Sequence, residues 1–276
     1  FASVSKLITA IGIMKLQEMK KLRMNEKVFG PKGILNDTTY NNGIKDQRYY
    51  NITVEQLLRH QAGFNNYAGD PVSSTRYIMM QNHLTTPPDH KTLLKILLKR
   101  HLGYTPGEGK CYSNLGYIIL SMIIEKKSGM KYENFMKKYV LQPAGCYDMH
   151  IAGTYYKDRR PNETKYYMHQ GSIPVYEYNN SGRMVEKCYG DTDLPRLSGA
   201  GAWCGSAAEL SRLIASIDGL PHVKDILSQK SIQFMTTEQP DHQYSIGWNY
   251  TPKSNRPWIR TGSLAGTSAI VLKYPD

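Results

Sequence analysis

Ser3-Val4-Ser5-Lys6 is the stretch on which the fold turns, at the head of a segment with Leu7, Ile11, Met14 and Leu22 among its apolar residues. That pattern predicts a helix from about Ser3 to Arg23. On a helix, residues at this spacing share a face, so the Lys6 amine lies beside the Ser3 hydroxyl. A neutral lysine there accepts the hydroxyl proton, and a charged one stabilises developing negative charge. Alone the spacing is a weak signal. It recurs at Ser128-Gly129-Met130-Lys131, where an apolar run followed by glycine reads as one helix ending before the next begins. The first copy differs in its company downstream, Tyr112-Ser113-Asn114 and Arg260-Thr261-Gly262.

The ordered trio S-x-x-K, Y-S-N and basic-Thr-Gly resembles the penicillin-recognising serine hydrolases. The branch is that of class C β-lactamases, D-alanyl-D-alanine carboxypeptidases and related esterases and D-amino-acid peptidases. Other stretches carry the same resemblance: Thr53-Val54-Glu55-Gln56-Leu57-Leu58-Arg59-His60-Gln61-Ala62-Gly63, Tyr104-Thr105-Pro106-Gly107, Leu141-Gln142-Pro143-Ala144-Gly145 and Tyr244-Ser245-Ile246-Gly247-Trp248. Several matches in order over nearly the whole chain are far more specific than any one of them.

The resemblance implies a serine hydrolase acting through an acyl-enzyme on β-lactam or D-Ala-D-Ala-like amides or esters, with no cofactor. Ser3 is then the nucleophile, and Tyr112 the general base in concert with Lys6. Lys6, Arg260 and the positive start of the helix after Tyr112 stabilise negative charge on the phenol oxygen. Asn114 orients Lys6 and donates to a substrate amide oxygen. Backbone N–H groups of Ser3 and Ser263 form the oxyanion hole. Thr261 and Gly262 lie on a strand whose edge pairs with an extended substrate. Arg260 departs from the family's usual lysine or histidine. It cannot shuttle a proton, but its fork suits an anionic substrate carboxylate. The rival readings are a module that is acylated and never turns over, and an inactive scaffold.

Composition limits the remaining classes. The 276 residues are 40% hydrophobic and 21% charged, ordinary for a globular protein with a sizeable core. A net charge of +12 reads as a lysine-rich solvated surface, and nucleic acid is not an expected partner. The longest apolar stretch, Leu115 to Ile124, is too short to span a bilayer. Leu7 to Met14 is followed by no cleavage site and is not read as a signal peptide. By resemblance alone the location is periplasmic, cell-envelope or secreted. Cys111, Cys146, Cys188 and Cys204 show no C-x-x-C pair. His83, His90, His101, His150, His169, His222 and His242 show no metal-binding spacing, so no metal is expected; His60 is expected to pack structurally.

Along the chain, Thr53 with Gln56 and Ser206 with Glu209 have the form of capping boxes. Helices are expected at 91–101, 115–127 and 131–140, and residues 65–89 read as loop with a short helix. Residues 146–200 lack periodicity. Strands are expected at 244–250, 257–261 and 267–274. Helices in the middle and strands at the end predict an α+β protein, an antiparallel sheet flanked by helices plus a mostly helical lobe. Residues 1–23 and 200–276 form the expected α/β lobe and 24–199 the helical one, together a single catalytic unit over 1–276. Members of the resembled family place strands before the nucleophile helix and a helix after the last strand, so the chain is expected to be a fragment of a larger hydrolase.

Overall fold

The computed structural model describes residues 1–66, 69–241, 243–253 and 255–275; His242 and Asp276 lie outside the described residues. Helix α1 (Ser5–Glu18) is buried on nearly every side, with Leu7, Ile8, Ile11 and Met14 wholly covered and Ser5, Lys6 and Thr9 covered with them. A helix lacking a polar face belongs in the interior. It begins later than its pattern predicts, because Ala2–Val4 forms a tighter 3-10 turn that carries Ser3. It also ends earlier, at Glu18, with Lys20 just beyond in the left-handed region (φ 58°).

Short helices follow: α2 (Thr38–Asn41), α3 (Val54–Leu58), α4 (Thr75–Gln81) and α5 (His90–Leu97). The Thr53–Gln56 capping box starts α3 with both reciprocal hydrogen bonds. The long α6 (Asn114–Ser128) packs against α1 and is capped by the Ser113 hydroxyl, which accepts from the Gly116 N–H. Gly129 ends it in the left-handed region (φ 72°), so Ser128-x-x-Lys131 is a helix end leading to α7 (Tyr132–Met136), as its residues predict. A π-helical turn, Lys137–Leu141, continues α7. Further along lie α8 (Ser198–Gly201), α9 (Ala207–Ala215), opened by the Ser206–Glu209 capping box, and α10 (Gln229–Thr236). α10 was not foreseen; Gln-Lys-Ser-Ile-Gln-Phe-Met-Thr carries too few apolar residues to declare a face.

The strands form antiparallel pairs. β1 (His150–Ile151) pairs with β4 (Trp203–Cys204), and β2 (Val175–Tyr176) with β3 (Met184–Val185). β5 (Trp258–Leu264) pairs with β6 (Thr267–Lys273), Gly262 opposite Ala269. The architecture is α+β. The expected strand at 244–250 is instead a tight turn joined to β5 by a single bridge between Tyr250 and Ile259. Tyr244 (φ 53°) and Gly247 (φ 80°) both adopt left-handed backbone, and the Tyr244 N–H donates to Asn249 O at 2.6 Å. The turn seats Ile246 and Trp248 in the core, where an ideal Cβ on Gly247 would lie 2.9 Å from Ala10 Cβ. Buried apolar side chains from both expected lobes join one cluster.

A buried polar relay ties these layers together. Thr9 Oγ1 donates to the Gly199 carbonyl (2.6 Å) and meets the Tyr132 hydroxyl (2.7 Å), which accepts from Trp203 Nε1 (2.9 Å). The Trp203 N–H donates to Ser5 Oγ (3.0 Å). α1, α7, α8 and β4 are thereby held in one register around Ser3.

Candidate active site

Ser3, Lys6, Tyr112, Asn114 and Arg260 come together although they lie far apart in the sequence. Ser3 Oγ accepts from the Tyr112 hydroxyl at 2.7 Å and lies 3.1 Å from Lys6 Nζ. Lys6 Nζ donates to Asn114 Oδ1 and to the Ala200 carbonyl, each at 2.6 Å, and stands 4.8 Å from the centroid of the Tyr112 ring. Lys6 is fully buried, and its pKa lies well below the ordinary lysine value. Burial is the main cause, the Arg260 charge adds to it, and Asp70 opposes it. Asn114 is oriented by its neighbour: its Nδ2 donates to Asp70 Oδ2 at 2.5 Å, which turns Oδ1 toward Lys6.

Arg260 is placed otherwise than expected. Its side chain is fully buried, and its fork points inward rather than toward a substrate. Nε and Nη2 donate to the Ser3 carbonyl at 2.9 and 2.5 Å, and Nη2 also reaches the Tyr112 hydroxyl at 3.3 Å. Gly262, on the same face of β5, is the point of close approach. A Cβ there would lie 2.3 Å from Phe1 O and 2.9 Å from Ser3 N. What approaches the glycine is the turn carrying Ser3, not a ligand. Thr261 and Ser263 alternate to the exposed face. The Thr261 N–H is taken by Asn249 Oδ1 (2.8 Å), and strand alternation puts the Ser263 N–H next along that edge, away from β6.

Sequence reasoning missed the supports. Asp70, Asn66 (whose Nδ2 donates to the Tyr112 carbonyl at 2.7 Å) and the Ala200 carbonyl belong to stretches without periodic signal. His60 packs structurally, with its ring 4.6 Å from that of Tyr112 and 4.8 Å from that of Tyr244. His60 Nδ1 accepts from the Ser113 N–H at 3.0 Å, fixing the backbone between Tyr112 and Asn114. Burial first, then the Arg260 and Lys6 charges, hold its pKa well below the ordinary histidine value.

The sign of the resulting pH effect is fixed. Below about pH 6.5 the unfolded chain takes up a proton that folded His60 refuses, so stability falls as pH drops through that range. His60 sits at φ 57°, a conformation asparagine tolerates, and an asparagine side-chain oxygen could also accept from Ser113. His60→Asn should therefore remove a slope of up to about 1.4 kcal/mol per pH unit. Urea midpoints between pH 7.5 and 5 measure it; equal slopes in both proteins would refute the assignment.

Comparison with known proteins identifies the family and the fold. A family model described as Beta-lactamase matches residues 1–276. Penicillin-binding protein 4* of Bacillus subtilis (strain 168) is 25% identical over 290 residues, covering 100% of this chain and 57% of that protein. The chain thus spans little more than half the length of that relative. Among solved structures, a penicillin binding protein from Bacillus halodurans aligns with a TM-score of 0.72 at 20% identity, covering 100% of this chain and 77% of that one. A D-stereospecific amidohydrolase from Streptomyces sp. aligns with a TM-score of 0.69 at 21% identity, covering 100% and 78%. Fold and family model agree, and the chain belongs to the Beta-lactamase family.

Proposed function

We propose that the protein is a serine hydrolase in which Ser3 is acylated and then released by water. One observation carries the reading: Ser3 Oγ is within hydrogen-bonding distance of both Lys6 Nζ (3.1 Å) and the Tyr112 hydroxyl (2.7 Å). A neutral Lys6 has two N–H donors and one lone pair. The carbonyl oxygens of Asn114 and Ala200, both at 2.6 Å, take the donors and leave the lone pair for the Ser3 proton. Desolvation favours that neutral amine. As Ser3 attacks the acyl carbonyl, its proton passes to Lys6; the Tyr112 O–H protonates the leaving nitrogen or oxygen, and the Lys6 proton then returns to Tyr112 so that both groups are restored. The Ser3 and Ser263 N–H groups stabilise the oxyanion.

Arg260 then acts on the nucleophile's own carbonyl and on Tyr112, so the role of meeting a substrate carboxylate passes to Thr261 and Ser263 on the exposed face of β5. Asn114 is the donor toward a substrate amide. A cavity of about 260 Å³ lined by Ala2, Leu194, Trp203 and Leu264 adjoins the Ser3 turn and offers room for a substrate side chain. The substrate class is an amide or ester with D-amino-acid character, β-lactams included. The likeness to a D-stereospecific amidohydrolase and to penicillin-binding proteins supports this, as it supports a cell-envelope or secreted location.

Intact-mass measurement after incubation with a penicillin and with a fluorophosphonate, followed by peptide mapping, tests the proposal. One adduct on Ser3, absent from Ser3→Ala, is expected; labelling elsewhere refutes it. Turnover of nitrocefin or p-nitrophenyl esters separates a hydrolase from a module that is acylated once and held.

A further inference from the structure

We propose that His150, Glu163 and Cys204 form a zinc site distinct from the Ser3 constellation. β1 and β4 pair with His150 directly opposite Cys204, so both side chains leave the same face of the ribbon. Glu163, from the turn after Arg160, lies over that face. One donor atom from each of the three residues lies within 4.8 Å of the other two. No sequence spacing announces the group, because strand pairing unites residues remote along the chain.

The hydrogen bonds fix which atoms face the centre. His150 Nδ1 lies 2.8 Å from the Asp148 carbonyl, which can only accept, so Nδ1 carries the proton. His150 Nε2 is then the ring atom that faces Glu163 Oε2, 3.3 Å away, with both side chains buried. A cation between these two atoms would satisfy both. Two donors held about 2.0–2.1 Å from a tetrahedral zinc also stand about 3.3 Å apart. The outer contacts resemble those that brace metal ligands. Asp148 O holds the ring, the Tyr166 hydroxyl donates to Glu163 Oε1 at 2.8 Å, and the Arg160 N–H approaches Oε2 at 3.3 Å.

Cys204 completes the set. Its sulfur lies 3.7 Å from the Tyr166 hydroxyl, and a rotation that brings it to the centre closes a mixed nitrogen, oxygen and sulfur shell. Such a shell favours zinc over magnesium or calcium. Ligation as thiolate would displace the Cys204 proton to solvent. A cavity of about 390 Å³, lined by all three ligands with Asp148 and Arg212, admits the ion and a water as fourth ligand. Bound zinc would pin the 159–166 turn to β4, the strand shortly after the Ala200 carbonyl that receives Lys6.

The whole chain, stripped of metal by a chelator and dialysed, is titrated with cobalt(II) and then zinc. One equivalent of cobalt should give a thiolate-to-metal charge-transfer band that zinc abolishes and Cys204→Ser lacks. His150→Ala should weaken binding by more than the 10- to 100-fold typical of losing an outer contact. If Cys204→Ser does not fold, Glu163→Gln is read by native mass spectrometry instead: loss of the bound equivalent is expected, and full retention would overturn the proposal. Absence of stoichiometric metal in the wild-type chain would overturn the proposal. A band that survives Cys204→Ser would overturn it too.

Discussion

Lys6→Met and Tyr112→Phe are each expected to slow the proposed acylation of Ser3 by about 100- to 10,000-fold, the range typical when a positioned acid or base is removed. Both changes leave the nucleophile in place, so adduct still forms at Ser3 but at a reduced rate. The two variants should differ in pH dependence. Lys6 must be neutral to receive the Ser3 proton, and its buried amine loses its own proton at lower pH than free lysine does. Wild-type acylation therefore rises with pH until Lys6 is neutral, and Lys6→Met loses that rise. Stability follows the same group. Unfolded lysine keeps its proton to about pH 10.4, while buried Lys6 releases it earlier, so wild-type stability climbs with pH between the two values. Lys6→Met should flatten that climb. Labelling rates across pH and denaturant midpoints measure both effects; unchanged rates in both variants would mean that another group manages the proton.

Gly262→Ala is expected to cost at least about 100-fold in acylation and about 1–3 kcal/mol in stability. The added methyl would lie 2.3 Å from Phe1 O, 2.9 Å from Ser3 N and 3.0 Å from Val4 N, all backbone atoms. Side chains cannot rotate away to relieve that overlap. β5 has to move off the Ser3 turn, carrying the Ser263 N–H away from the reacting carbonyl and stretching the Arg260 bonds to Ser3 O. A displacement of about an ångström at such a site is enough for a loss of that size. Labelling rate and thermal midpoint measured together decide the matter. A variant that unfolds at lower temperature yet labels at the wild-type rate would refute the coupling of strand position to acylation.

Much of this arrangement was legible in the sequence because it rests on short motifs within strongly patterned elements. Ser3 and Lys6 head a buried helix, Tyr112 and Asn114 flank the cap of another, and Arg260 to Ser263 occupy an alternating strand. Local spacing reveals such residues but not their direction. Arg260 was read as facing a ligand because a strand position does not say which side of the sheet is covered. Its inward turn follows from the packing of β5 onto the Ser3 turn, visible only in three dimensions. Asp70 and the Ala200 carbonyl were invisible for a related reason: one lies in an irregular stretch, and backbone oxygens carry no signature. The 244–250 segment misled because its alternation is real, while left-handed Tyr244 and Gly247 fold it into a plug for the core.

The buried guanidinium has one more implication. It is flat and stiff, it grips the Ser3 carbonyl from the neighbouring strand, and so it holds the Ser3 turn at a set distance from β5, the ledge that would receive the acyl group in the proposed reaction. One jaw of the mouth is therefore locked. In the proposed reaction a bulkier acyl group would have to be accommodated elsewhere around Ser3 than by movement of β5.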